Sequence, residues 1–260
     1  MAKDIKIFIC EGERDLGYFG NVQNIFFKDA DFRIISLSAK LNIYMLYQIL
    51  KKDENLDLIE LLREDPDNAK KLDGVTRQQV SETYMFFDLD IQQANLKKLT
   101  NPIQVIRELL DFFNNETENG KMYLSYPMVE ALRDYKEGYC DSITGCIVDR
   151  KNIKDYKTLT GANPKTAETK KYDKNKWKNI LNIFQMRIKC LFELDDFIET
   201  YYRKHITPST IFDQEYSSYL PETVFVLSAF PEFILDYFST NFWKSVIKDT
   251  KLTFNNCPKR

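Results

Sequence analysis

The amino-acid sequence predicts an α/β fold, in which a mainly parallel sheet is flanked by helices and followed by a mostly helical C-terminal region. Short apolar runs alternate with helix-periodic segments through the first half, which is typical of parallel sheets. Apolar residues recur at helical spacing through much of the second half. With 43% hydrophobic and 14% aromatic residues and only 8 Gly and 8 Pro, the chain can form a real core.

The first half opens with two strand–helix units in succession. The apolar run Ile5–Cys10 predicts a buried strand, and a helix is predicted from Glu13 to about Asn24. Asp31–Ala39 predicts a second strand, and Leu41–Lys51 has the apolar spacing of a helix. This βαβα order favours a parallel sheet, because a helix supplies the long connection that parallel strands need.

A helical insertion is predicted before the third strand, over residues 53 to 82. Leu56–Arg63 and Thr76–Glu82 are short helix candidates, and the polar segment Glu64–Asp67 between them reads as a turn. Tyr84–Phe87 is the predicted third strand.

The later elements change from strand to helix along the chain. A helix is predicted to open near Asn101, because the following Pro102 suits a first helical turn. A fourth strand over Lys121–Tyr126 and a helix over Met128–Tyr135 follow, and Ile180–Tyr202 and Leu220–Phe242 predict helices. We expect one domain over 1–138 and a helical region over 139–260 that binds a substrate or partner.

Histidine and cysteine usage excludes several classes of site. The single histidine, His205, has no second ligand or serine motif around it, so it is expected at the surface or in a cap. The five cysteines are scattered and form no CxxC, so neither a disulfide framework nor a structural zinc is predicted. No membrane span is expected, and a reducing, cytoplasmic location follows.

Carboxylates follow several predicted strands. Glu11 comes directly after the first strand, and Asp88 and Asp90 close the third. Asp15 is one helical turn beyond Glu11, and Glu130 lies four residues after the fourth strand. Because the carboxyl ends of parallel strands form the functional edge of an open sheet, these five side chains could converge and bind Mg²⁺ or Mn²⁺.

The two strand-end motifs resemble the Toprim domain of topoisomerases, primases and OLD-type nucleases. The motifs are Ile7–Gly12 (Ile-Phe-Ile-Cys-Glu-Gly) and Phe86–Asp90 (Phe-Phe-Asp-Leu-Asp), and the resemblance covers roughly residues 4 to 135. It implies a metal-dependent nuclease in which Glu11 is a general acid or base and Asp88 and Asp90 are catalytic metal ligands. Asp15 and Glu130 match further acidic positions. The long interval before Asp88 and the Ile91-Gln92 that follows Asp90 depart from the usual pattern.

Two other segments resemble PARIS-type anti-phage effector subunits within that family. These are Tyr126–Leu132 (Tyr-Pro-Met-Val-Glu-Ala-Leu) and the aromatic Val224–Pro231. The resemblance implies a toxin-like defence effector that works beside an ABC or OLD-like ATPase. The chain contains no Walker A motif, so the ATPase would be a separate partner protein.

A basic segment lies between Arg150 and Lys189, where twelve basic residues stand against three acidic ones. It is either a solvated surface or a groove for nucleic-acid phosphates. The candidate nucleic-acid-binding residues are Lys170, Lys171, Lys174, Lys176, Trp177 and Lys178. In the second interpretation Trp177, with Tyr156 and Tyr172, would stack on unpaired bases.

Two alternatives to a nuclease remain at the level of sequence. Phe86–Asp90 also resembles the first motif of haloacid-dehalogenase phosphatases, although Gln92 replaces their usual Thr or Val. Alternatively, the domain is a non-catalytic docking subunit whose aromatic C-terminal helices bind a partner. DNA and RNA substrates and a homo-oligomer all stay open.

Overall fold

The computed structural model describes residues 4–53, 57–90, 101–135, 146–162, 168–196, 199–220 and 222–246. The chain forms two compact units. The first contains Met1–Asp88 and Gln93–Tyr123, and the second contains Leu89–Gln92 and Leu124–Arg260. The boundary predicted at 138 lies outside the described residues.

The first unit is an α/β structure with a mostly parallel sheet, as the sequence predicts. The strands of the sheet have the order β2-β1-β3-β5-β4, and β1 pairs in parallel with both β2 and β3. Their bounds are β1 Ile5–Cys10, β2 Arg33–Ser38, β3 Val80–Asp88, β4 Asn114–Asn115 and β5 Gly120–Ser125. The apolar side chains of β1 are buried because β1 lies between two strands and under helices.

Among the described residues, five α-helices belong to the first unit. They are α1 Glu13–Phe26, α2 Ile43–Leu50, α3 Leu58–Arg63, α4 Pro66–Lys71 and α5 Pro102–Phe112. The helix predicted to open near Asn101 is α5, and the Asn101 side chain caps it by accepting a hydrogen bond from the Gln104 N–H at 3.2 Å.

The insertion differs from the prediction in two places. The Asp65 side chain caps α4 by accepting from the Asp67 and Asn68 N–H groups, so the expected polar turn is the start of a helix. The helix predicted over Thr76–Glu82 is wrong, because only Arg77–Gln79 forms a 3-10 turn and β3 already begins at Val80. This polar start of β3 is stabilised by a cross-strand ion pair of 2.6 Å between Lys6 on β1 and Glu82 on β3.

The second unit is mostly helical, and it also contains a small antiparallel pair of strands. Its helices are α6 Ile153–Gly161, α7 Lys174–Phe192, α8 Glu199–His205, α9 Pro208–Ser218, α10 Ala229–Tyr237 and α11 Thr240–Val246. The strands β6 (Ile147–Asp149) and β7 (Thr223–Phe225) were not predicted, so Leu220–Phe242 is only partly helical. The segment Val129–Asp134, hereafter the Glu130 turn, is a 3-10 helix and not an α-helix.

The aromatic side chains of the C-terminal region contribute mainly to the core of this unit. Phe225, Phe230 and Phe233 are fully buried, whereas Tyr237 and Phe238 are half-buried. The lone histidine, His205, is exposed in the last turn of α8, as predicted. In the described part of the chain, no helix combines the length and the hydropathy that crossing a membrane requires.

The cysteines differ from the prediction that the chain has no disulfide framework. Cys10 is a buried free thiol, whereas Cys146 and Cys190 each take part in a disulfide bond. Spacing along the chain did not predict this bonding, because a disulfide depends on which elements meet in space.

Candidate functional site

Glu11 is held in place through its backbone and its side chain. Its N–H donates to the Phe86 carbonyl at 3.0 Å, and its carbonyl accepts from the Lys40 N–H at 2.9 Å. Its side-chain Oε2 accepts a hydrogen bond from the Asp88 N–H at 3.0 Å. The ends of the neighbouring strands β1 and β3 therefore bring Glu11 and Asp88 together, as the strand-end argument predicts.

Asp15 lies at the start of α1, on the same side of the first unit. It is 8% exposed, and its Oδ2 accepts from the Gly12 N–H at 3.2 Å. This carboxylate satisfies a backbone donor at the helix N-terminus, where negative charge is also favourable.

The pKa of the Cys10 thiol depends on the charges around this edge of the sheet. Burial raises the pKa of Cys10 well above its usual value. The negative charges of Asp15 and Asp88 raise this pKa further, while Lys71 lowers it. Two of the predicted metal ligands, Asp15 and Asp88, therefore raise the pKa of one buried thiol next to Glu11. Together with Glu11, they are the three predicted ligands that belong to the first unit.

Asp90 and Glu130 belong to the second unit, where both are tied to the segment that follows β5. Asp90 has a left-handed φ of 45°, and its N–H donates to the Pro127 carbonyl at 3.2 Å. Glu130 is 3% exposed within the Glu130 turn, and its Oε1 lies 3.8 Å from Lys157 Nζ. The Asp90 backbone is thus tied to Pro127, and Glu130 lies in the same segment of the chain.

The Glu130 turn is supported at both ends by residues for which the sequence predicts no such role. Tyr126, just before it, exchanges two backbone hydrogen bonds with Leu227, of 2.7 and 3.1 Å. At its far end, the fully buried Arg187 donates to the carbonyls of Asp134 and Val226 at 2.9 and 2.7 Å. Because a buried guanidinium needs such acceptors, this contact fixes both partners.

The predicted nucleic-acid-binding residues divide into exposed cations and a buried ring. Lys170, Lys171, Lys174 and Lys178 are exposed, and Lys171 forms an ion pair with Glu168. Lys176 is half-buried and donates to the Tyr135 carbonyl at 3.2 Å. Trp177 is 1% exposed and packs against Tyr172, so neither ring presents a free face to a base in this structure.

The donor set of the predicted metal site consists only of carboxylates. Carboxylate oxygens are hard ligands, which suits Mg²⁺ or Mn²⁺ and does not suit a structural zinc. Across the part of the chain that the structure describes, no group of three or more His, Cys, Asp or Glu side chains is arranged to hold a metal ion.

Comparisons with known proteins identify no relative. No protein-family model matches the chain, and no curated protein and no solved structure matches it either.

Two supporting residues of the first unit were also missed by sequence reasoning. The Asn68 side chain donates to the Ser38 carbonyl at 2.8 Å and accepts from the Ser38 N–H at 3.3 Å. Lys40, whose backbone N–H binds the Glu11 carbonyl, also forms a 2.7 Å ion pair with Asp65. These contacts fasten α4 to the edge strand beside Glu11, and no local sequence motif signals them.

Proposed function

We propose that this protein is a divalent-metal-dependent nuclease with a Toprim-like domain, which hydrolyses phosphodiester bonds in DNA or RNA. One observation carries the proposal. Glu11 and Asp88 stand at the ends of adjacent strands, β1 and β3, and the Glu11 carboxylate accepts the Asp88 N–H at 3.0 Å. This is the edge where open α/β sheets place their functional groups. The motifs around both residues resemble those of Toprim nucleases.

The resemblance would assign the ion to five carboxylates, those of Glu11, Asp15, Asp88, Asp90 and Glu130. Mg²⁺ or Mn²⁺ would neutralise their charge and stabilise the negative charge that develops on the phosphoryl oxygens. Glu11, whose orientation the Asp88 N–H sets, would accept or return a proton during the reaction.

The biological setting is proposed from the sequence resemblance alone. As an anti-phage effector, the protein would be controlled by a separate ABC or OLD-like ATPase. Such control fits a nuclease whose unrestrained activity would be toxic to its own cell.

Metal binding and cleavage in the same buffers test the proposal. Calorimetry with Mg²⁺ and Mn²⁺ would compare the wild type with Asp88→Asn, with Asp90→Asn and with the control Asp111→Asn. Asp111 is an exposed carboxylate on α5, so its variant matches the charge change away from the sheet edge. Plasmid DNA and total tRNA are then incubated with each protein.

The expected result is metal binding that is lost in Asp88→Asn and Asp90→Asn and kept in Asp111→Asn. Binding without cleavage would point to the missing ATPase partner as the activator. If the wild type binds neither metal at millimolar concentration, the nuclease proposal fails and a non-catalytic docking subunit becomes the better description.

A further inference from the structure

Helix α6 packs against the Glu130 turn and has two different faces. Ile153, Tyr156 and Thr160 form its buried face. The Tyr156 hydroxyl donates to Asp134 Oδ2 at 3.0 Å, within the core of the second unit. The position of α6 relative to the Glu130 turn is therefore set by buried contacts, since a buried hydrogen bond to a carboxylate has little freedom.

The rest of the α6 surface carries exposed lysines. Lys154 and Lys157 are three residues apart, so they lie on neighbouring turns of one helix face. Lys157 reaches back to the Glu130 turn, with its Nζ 3.8 Å from Glu130 Oε1. Lys157 has a side chain that is 55% exposed, whereas that of Glu130 is 4% exposed, so the lysine can still meet a ligand from solvent.

A second cation lies at the C-terminal end of α6. A Cβ placed on Gly161 would stand 3.5 Å from Arg133 Nη1, so the Arg133 guanidinium lies beside the last residue of the helix. Arg133 and Glu130 belong to the same 3-10 turn. Arg133 within the Glu130 turn and Lys157 beside it thus place two cations at the segment that carries a predicted metal ligand.

We propose that α6 binds the sugar–phosphate backbone of a nucleic acid through Lys154 and Lys157, with Arg133, and leads the strand toward Glu130. This inference rests on the proposed nuclease function. Three residues of α-helix span about 4.5 Å, and one strand of duplex DNA rises about 3.4 Å per phosphate, so the two lysines can contact neighbouring phosphates. Such contacts give affinity that does not depend on sequence.

This surface differs from the predicted segment between Lys170 and Lys178. In that segment, Trp177 is buried and Lys171 is paired with Glu168. Helix α6 combines exposed lysines with a contact between Lys157 and the predicted metal ligand Glu130.

The salt dependence of nucleic-acid binding tests the proposal. The full-length protein is titrated, in EDTA to prevent cleavage, with a labelled single-stranded DNA, the RNA of the same sequence and the duplex DNA. The variant Lys154→Gln/Lys157→Gln is compared with Lys204→Gln/Lys244→Gln. The second pair makes the same charge change at exposed lysines of α8 and α11 in the same unit. Lys171→Gln/Lys174→Gln tests the predicted basic segment.

Removing two phosphate contacts should reduce the slope of log K against log salt by roughly 1.4 to 1.8, because each contact contributes about 0.7 to 0.9. The pair on α8 and α11 should leave the slope unchanged. The nucleic acid whose binding loses the most affinity in Lys154→Gln/Lys157→Gln identifies the class of substrate that α6 binds.

The α6 proposal is overturned if Lys154→Gln/Lys157→Gln has the same salt slope as the wild type. It is also overturned if the slope decreases only in Lys171→Gln/Lys174→Gln. Either result leaves the nuclease proposal standing, because the metal-binding assay is independent of it. A wild type that binds none of the three nucleic acids at low salt would overturn both proposals.

Discussion

Replacing Asn68 by Leu should destabilise the first unit through its edge strand. Asn68 and Ser38 are each 1% exposed, and the Asn68 amide pairs with both backbone polar groups of Ser38. β2 is the edge strand of the sheet, so no further strand can replace these bonds. A leucine of similar size would leave one buried N–H and one buried carbonyl without partners.

The expected cost is about 2–6 kcal/mol of unfolding free energy, because each of the two buried unsatisfied groups costs about 1–3 kcal/mol. Urea unfolding followed by far-ultraviolet circular dichroism measures it by linear extrapolation. Asn119→Leu is the matched control, since Asn119 is exposed and its amide makes one 3.3 Å bond to the Phe112 carbonyl.

The same substitution should also loosen the backbone around Glu11. The residues after Ser38 supply the N–H groups that bind the Cys10 and Glu11 carbonyls, at 2.8 and 2.9 Å. Hydrogen exchange at Lys40 should therefore become faster in Asn68→Leu than in the control. If Asn68→Leu lowers the unfolding free energy by less than about 0.5 kcal/mol, which is the range of ordinary surface substitutions, the backbone of Ser38 does not depend on Asn68.

Three further predictions concern single side chains. Glu11→Gln keeps an acceptor for the Asp88 N–H, so the fold should survive while cleavage falls on the order of 10²–10⁴-fold; unchanged turnover would remove Glu11 from the mechanism. Burial raises the pKa of Glu215 well above 4.5, so the wild type should lose stability as pH rises above that value, because the unfolded chain releases the proton first. Glu215→Gln cannot titrate and should flatten this decline in melts from pH 5 to 8, and an equal slope in both proteins would contradict the assignment. Tyr156→Phe removes the hydroxyl that donates to the buried Asp134 at 3.0 Å, so the unfolding free energy measured in urea should fall by about 1.5–3 kcal/mol. An unchanged unfolding free energy would show that this hydrogen bond is dispensable.

Strong local signals explain why much of the first unit was predictable. Ile5–Cys10 is a strand in both the prediction and the structure, because a continuous apolar run next to Glu-Gly favours a buried strand and a loop. The start of α5 was predicted because Pro102 suits a first helical turn, and the structure adds a cap from the Asn101 side chain.

Elements that depend on distant partners were not predictable in the same way. The polar start of β3, Val80–Thr83, resembles a helix locally but pairs with β1, where Lys6 contacts Glu82. Cross-strand pairing overrode local propensity there. The strands β6 and β7 are separated by most of the second unit, so neither the short β6 segment nor its partner has a local strand signal.

The sequence by itself determined which carboxylates follow the strands, because strand ends and acidic residues are both local features. Only the tertiary structure decided which of them meet and what supports them. Glu11 and Asp88 are 77 residues apart and are joined by one hydrogen bond. Arg187 supports the Glu130 turn from 53 residues beyond Asp134. Such contacts arise from the packing of strands and helices, which brings together groups that no local pattern relates.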